Sequence, residues 1–129
     1  MPLTIAPLYT ALITLLYLSL SWRVIAYRRA NSISLGDTGD KNLLKRMRAQ
    51  ANCAEYAPLG LILLLMTELV GAPTLALHAL GIALLLGRIL HAYGFASTPQ
   101  KIIFRQIGMM LTLAMLALCS LGLLGHLLF

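Results

Sequence analysis

Polar side chains fall in short stretches of this chain, and the apolar runs between them are long. Leu3 to Trp22 is 20 residues without a charge. At 1.5 Å per residue such a helix spans about 30 Å, the thickness of a bilayer core. The pattern predicts a first helix over about 3–27, with Trp22 and Tyr27 at the interface and Arg23, Arg28 and Arg29 beyond it. It reads as a retained span, because it has no basic n-region and the apolar run is too long for a signal peptide. Residues 31–40 (Asn-Ser-Ile-Ser-Leu-Gly-Asp-Thr-Gly-Asp) carry turn chemistry, and Asp40 is placed to cap the next helix. The second helix is predicted over 41–70, amphipathic at first and apolar afterwards. Pro58 lies inside it with an expected kink near residues 54–58, and Glu68 is expected to reach water at its far end. Gly71-Ala-Pro-Thr74 is a tight turn, which makes the flanking helices antiparallel neighbours. The third helix is predicted over 74–95 and the fourth over 101–128, joined by Ala96-Ser-Thr-Pro-Gln100. Ala76, Ala79, Ala83 and Gly87 in the third helix, and Gly108, Ala114, Ala117 and Gly122 in the fourth, suit close helix contacts.

Composition sharpens this into an all-α integral membrane protein, a four-helix bundle in a single domain over 1–129. Hydrophobic residues make up 60% of the chain and the mean hydropathy is +0.86, against about 45–50% apolar residues in soluble domains. The net charge of +6 is gathered in two blocks, Arg23 to Arg48 and Arg88 to Arg105. Basic loops flanking apolar spans follow the positive-inside rule, so the charge does not point to nucleic acid. Four spans put both termini on one side, outside, and both basic blocks on the cytoplasmic side. The two cysteines, Cys53 and Cys119, sit inside apolar helices without metal-ligand spacing and read as buried thiols.

One polar face needs a purpose. Arg48, Asn52 and Glu55 stand at i, i+4 and i+7 and share a helix face, which Lys45 and Lys41 continue backwards. Arg88, His91 and Phe95 stand at i, i+3 and i+7 in the third helix. A charged residue at the centre of a span costs about 2.5–3.5 kcal/mol, and less toward its ends. The economical arrangement turns Arg48, Glu55, Arg88 and Arg105 inward, around water or a charged ligand. Cations outnumber acids there, so the ligand is an anion. A peptide with two carboxylates and an ammonium fits arginines plus one glutamate, and glutathione has that inventory together with a thiol. A dicarboxylate or a lipid headgroup fits the same residues.

The run Arg48-Ala-Gln50-Ala-Asn52-Cys-Ala-Glu55-Tyr56-Ala-Pro58-Leu closely resembles the second-helix motif of the MAPEG family, the membrane-associated proteins of eicosanoid and glutathione metabolism. Leukotriene C synthase and the microsomal glutathione transferases are most similar. Arg28-Arg29-Ala30, Arg88 and Leu121-Gly-Leu-Leu-Gly-His126 extend the resemblance along nearly the whole chain. It implies a homotrimer of four-span protomers, with glutathione bound between neighbours on the cytoplasmic side. By residue match, Arg48, Asn52, Glu55 and Tyr56 would hold the peptide, with Gln50 nearby. Arg28 and Arg29 would meet its carboxylate or the second substrate, and Arg88 and His91 complete the set. The thiol-activating cation would be Arg105, with Lys101 as the alternative. No metal is implied. Phe95 stands where many members have a tyrosine.

The expected activity is that of a glutathione transferase or peroxidase, acting in a membrane, with a bacterial inner membrane as the expected location. A thiolate would attack a lipophilic electrophile, or reduce a lipid hydroperoxide, arriving from the bilayer. Two other readings stand beside it: a non-enzymatic glutathione- or lipid-binding scaffold of the same fold, and a small drug/proton antiporter. The antiporter would need an acidic residue in the first helix, and that helix has none.

Overall fold

A computed structural model describes residues 2–129. Four helices follow in order: α1 (Ile5–Asn31), α2 (Lys41–Leu69), α3 (Thr74–Ala96) and α4 (Ile102–Leu128). The predicted elements are all present, with ends shifted by a few residues. The first helix departs most, running four residues further and carrying Arg28 and Arg29 in its last turn.

Local chemistry sets the boundaries. Ser32, in the left-handed region, ends α1. Asp40 caps α2, its Oδ1 accepting from the backbone N–H of Asn42 (2.9 Å) and Leu43 (3.1 Å). Its Oδ2 accepts from the Tyr27 hydroxyl at 2.7 Å. That hydroxyl first, and then the Leu43 and Asn42 N–H groups, hold the Asp40 carboxyl below its ordinary range. Gly71, at φ 82°, turns the chain from α2 into α3. The helix α2 continues unbroken through Pro58.

Three helices, α1, α3 and α4, are long and apolar enough to cross a membrane. The second helix falls short of that measure because its first half is polar. Exposed Leu15, Leu18, Trp22, Leu118 and Leu121 give the bundle an apolar exterior that water would not tolerate. The core runs along the bundle axis through Tyr9, Ile13, Cys53, Leu64, Leu77, Leu84, Met115 and Cys119. Both cysteines are free and buried.

The most extensive contact is between α3 and α4, and glycines permit it. A Cβ on Gly87 would sit 2.7 Å from Thr112 Oγ1 and 2.9 Å from the Gly108 carbonyl. One on Gly94 would press on the backbone of Arg105 and Lys101. Of the small residues singled out above, Gly87 and Gly108 lie at this crossing. Ala76, Ala79, Ala114 and Ala117 are instead exposed, and a Cβ on Gly122 would meet nothing within 4 Å.

Glu68 lies partly exposed at the far end of α2, as expected, and has a further task there. Its carboxylate accepts from the N–H groups of Thr4 (2.9 Å), Ile5 (3.0 Å) and Ala6 (2.6 Å). It satisfies the orphan donors at the start of α1, which has no side-chain cap of its own. Beside it the Tyr9 hydroxyl meets His78 Nδ1 at 3.0 Å, joining α1 to α3.

Candidate functional site

The basic ends of α2, α3 and α4 enclose a cleft of about 320 Å³ lined by Arg48, Asn52, His91, Phe95, Arg105, Gln106 and Met109. It is within the range of small-molecule sites, about 300–1,000 Å³. The periodicity on α2 delivers Arg48 and Asn52 one turn apart, and α3 delivers His91 and Phe95 in the same way. Arg105 enters from the first turn of α4, its guanidinium 4.3 Å from the centroid of the Phe95 ring. His91 is 3% exposed and tilts against Phe95 at 5.7 Å.

Under the cleft lies Arg88, 1% exposed. Its Nη1 donates to Asn52 Oδ1 at 2.5 Å and to the Asn52 carbonyl at 3.3 Å. Its Nε and Nη2 donate to Thr112 Oγ1 at 3.0 and 2.9 Å. The Tyr56 ring flanks the guanidinium at 5.4 Å. No carboxylate pairs with Arg88 among the described residues. The salt bridge found there joins Arg48 to Glu55 at 3.6 Å on the open rim, each side chain about half exposed.

The other expected site residues go elsewhere in the chain. Gln50 reaches α1, donating to Ser21 Oγ (3.3 Å) and Tyr17 Oη (3.4 Å). Arg28 donates to the Gly36 carbonyl at 2.8 Å and approaches Met47 Sδ at 3.4 Å, and Arg29 is exposed. Lys101 donates to the Tyr93 hydroxyl at 2.7 Å and lies over that ring, outside the cleft lining. Of the two cations considered for α4, Arg105 is the one in the cleft.

Sequence reasoning missed Thr112, Gln106 and Met109. Thr112 had a signal: it lies seven residues after Arg105, on the same helix face, in an otherwise apolar stretch.

The family model for MAPEG matches residues 6–125, which takes in nearly all of the four helices and every residue of the cleft. The chain belongs to the MAPEG family. This MAPEG protein is 37% identical over 91 residues to Inner membrane protein YecN of Escherichia coli K12, covering 70% of each chain. The same protein from Escherichia coli O6:H1 strain CFT073 matches to the same extent. The name places that relative in the inner membrane and states no activity. With three helices of spanning length and composition and a relative in the inner membrane, this MAPEG protein is a multi-pass membrane protein.

Proposed function

We propose that this MAPEG protein is a membrane-bound glutathione transferase or peroxidase, working as a homotrimer of four-span protomers. The observation that carries the reading is the convergence of Arg48, Asn52 and Arg105 on one cleft without a lining carboxylate. Two guanidiniums held together at a membrane boundary call for an anion. Glutathione offers two carboxylates and a thiol, and Glu55 on the rim is a partner for its ammonium. In a trimer, the α1–α2 side of a neighbour, carrying Arg28, Arg29 and Gln50, would close the open side of the cleft. The second helix would be the fourth span, its polar half at the cytoplasmic boundary with both basic blocks, and both termini outside.

Arg105 is the thiol-activating cation in this reading. A thiol ionises near pH 8.5, and lowering its pKa by two units takes about 2.7 kcal/mol. One partly desolvated guanidinium supplies an interaction of that size. The sulfur lone pair then forms a bond to an electrophilic carbon, and the leaving group departs with its electrons. With a hydroperoxide, the thiolate takes the terminal oxygen and the alkoxide leaves, picking up a proton. A second glutathione then reduces the sulfenic acid to disulfide and water.

A scaffold that binds the same anion without turnover is the second reading. It draws support from Phe95, which brings no hydroxyl into the cleft. Calorimetric titration of the detergent-purified protein with glutathione tests both. Binding with thiolate ultraviolet absorbance and turnover of chlorodinitrobenzene or cumene hydroperoxide supports the enzyme. Binding without either supports the scaffold, and absence of binding overturns both.

A further inference from the structure

We propose that Arg88 and Thr112 are positioning residues that lock the Asn52 carboxamide with its NH2 group toward the cleft, so that the cleft selects oxygen acceptors on its ligand. The proposal deepens the reading above and rests on it for the identity of that ligand.

An arginine only donates, so the Asn52 atom 2.5 Å from Arg88 Nη1 must be the oxygen. Turning the amide over would set two donors against each other and forfeit a charge-assisted hydrogen bond. The amide nitrogen, Nδ2, is left over. It has no protein partner among the described residues, and it is not sealed from solvent as Arg46 Nε is. Asn52 lines the cleft, and that is where its free N–H groups are available.

The support behind Arg88 is closed in the same way. A hydroxyl has one hydrogen to give and two lone pairs. Thr112 Oγ1 donates to the Gly108 carbonyl at 2.9 Å and accepts both Arg88 Nε and Nη2. Every capacity of that hydroxyl is used. A fixed series therefore runs from the α4 backbone through Thr112 and Arg88 to Asn52 on α2. Arg88 itself is too buried to touch a ligand. With Arg48 and Arg105, Asn52 Nδ2 adds a third N–H donor to the cleft, and that donor set is complementary to carboxylate and peptide oxygens.

The test uses the full-length protein in detergent with Asn52→Asp, Thr112→Val and Thr112→Ser variants. Aspartate keeps the bond to Arg88 and adds charge to it, so the unfolding temperature should hold or rise. It presents an anionic acceptor to the cleft, and glutathione affinity should fall by about tenfold or more. Thr112→Val should weaken binding several-fold (roughly, as for one hydrogen bond), and Thr112→Ser should restore it. Wild-type affinity in Asn52→Asp overturns the proposal. So does loss of folding in that variant together with unchanged affinity in Thr112→Val. Should the wild type bind no glutathione, the proposed function fails on its own account. The positioning claim is then decided by the side-chain amide resonances of Asn52 in isotope-labelled protein. The two protons resolve in either case, because the amide C–N bond turns slowly; a side chain rigid on the picosecond–nanosecond timescale in the wild type that loosens in Thr112→Val upholds it, and identical relaxation overturns it.

Discussion

Replacing Gly108 by alanine should destabilise the protein far more than one methyl group ordinarily does. The added Cβ would lie 2.8 Å from the Cα of His91, with the His91 nitrogen and the Gly87 carbonyl nearer still. All three are backbone atoms and cannot rotate away. Ordinary contact begins near 3.4 Å and the Gly87 carbonyl oxygen is at 2.5 Å, so α3 and α4 must part by about 0.9 Å or more. Overpacking of this kind costs about 1–3 kcal/mol. The same separation stretches the 2.9 and 3.0 Å bonds from Arg88 to Thr112 toward the limit of hydrogen bonding. Loss of a hydrogen bond to a charged group adds about 1.5–3 kcal/mol. The two terms add to about 2.5–6 kcal/mol, and alanine's better helix propensity returns about 1 kcal/mol, leaving about 1.5–5 kcal/mol, read as a shift in an unfolding titration with dodecyl sulfate followed by circular dichroism. Gly125→Ala is the control, because nothing lies within 4 Å of its Cβ position. Alanine is also the better helix former by about 1 kcal/mol. If Gly108→Ala unfolds within about 0.5 kcal/mol of the parent, the close α3–α4 crossing is not as described.

Three further outcomes follow from other contacts. Arg105→Ala should abolish the thiolate absorbance that appears on adding glutathione, whereas Lys101→Ala, outside the cleft, should leave it intact; the reverse pattern would reassign the thiol-activating cation. Glu68→Ala should lower stability by about 1–2 kcal/mol, as loss of a helix cap does, and should speed hydrogen exchange at the start of α1, with unchanged exchange there refuting the cap. Asp40 has a depressed folded-state pKa, so its contribution is fully present above the ordinary carboxylate value and is lost as pH falls through the depressed one. The stability gap between wild type and Asp40→Asn, measured by thermal unfolding, should therefore be constant from neutrality down to about pH 5 and close below about pH 4; a gap that widens on acidification would contradict this.

How much of this was legible follows from the range of each interaction. The four helices, the Asp40 cap and the turn at Gly71 are specified by residues within a few positions of one another. The sequence pattern shows such features directly. Helical spacing likewise put Arg48 with Asn52 and His91 with Phe95, and both pairs line the cleft. Spacing does not say which residues on a polar stretch face which neighbour. Gln50, two residues from both Arg48 and Asn52, therefore went to the α1 side, and Lys101 went to Tyr93. The partners of Thr112 and Glu68 were hidden for another reason. Each serves a partner at least 24 residues away, and neither threonine in an apolar helix nor glutamate at a helix end is distinctive alone. Pro58 left α2 continuous, because one missing donor in a helix of 29 residues removes only one link.

The carboxylate of Glu68 serves backbone groups that precede it by 62 to 64 positions. During synthesis the opening turn of α1 is therefore made long before the group that completes it. Until α2 has been delivered to the same side of the bilayer, three N–H groups at the head of the chain depend on water or on the insertion machinery. Released chains truncated just before and just after residue 68 should differ in how firmly α1 is seated, and the second hairpin limb, on this account, finishes the first.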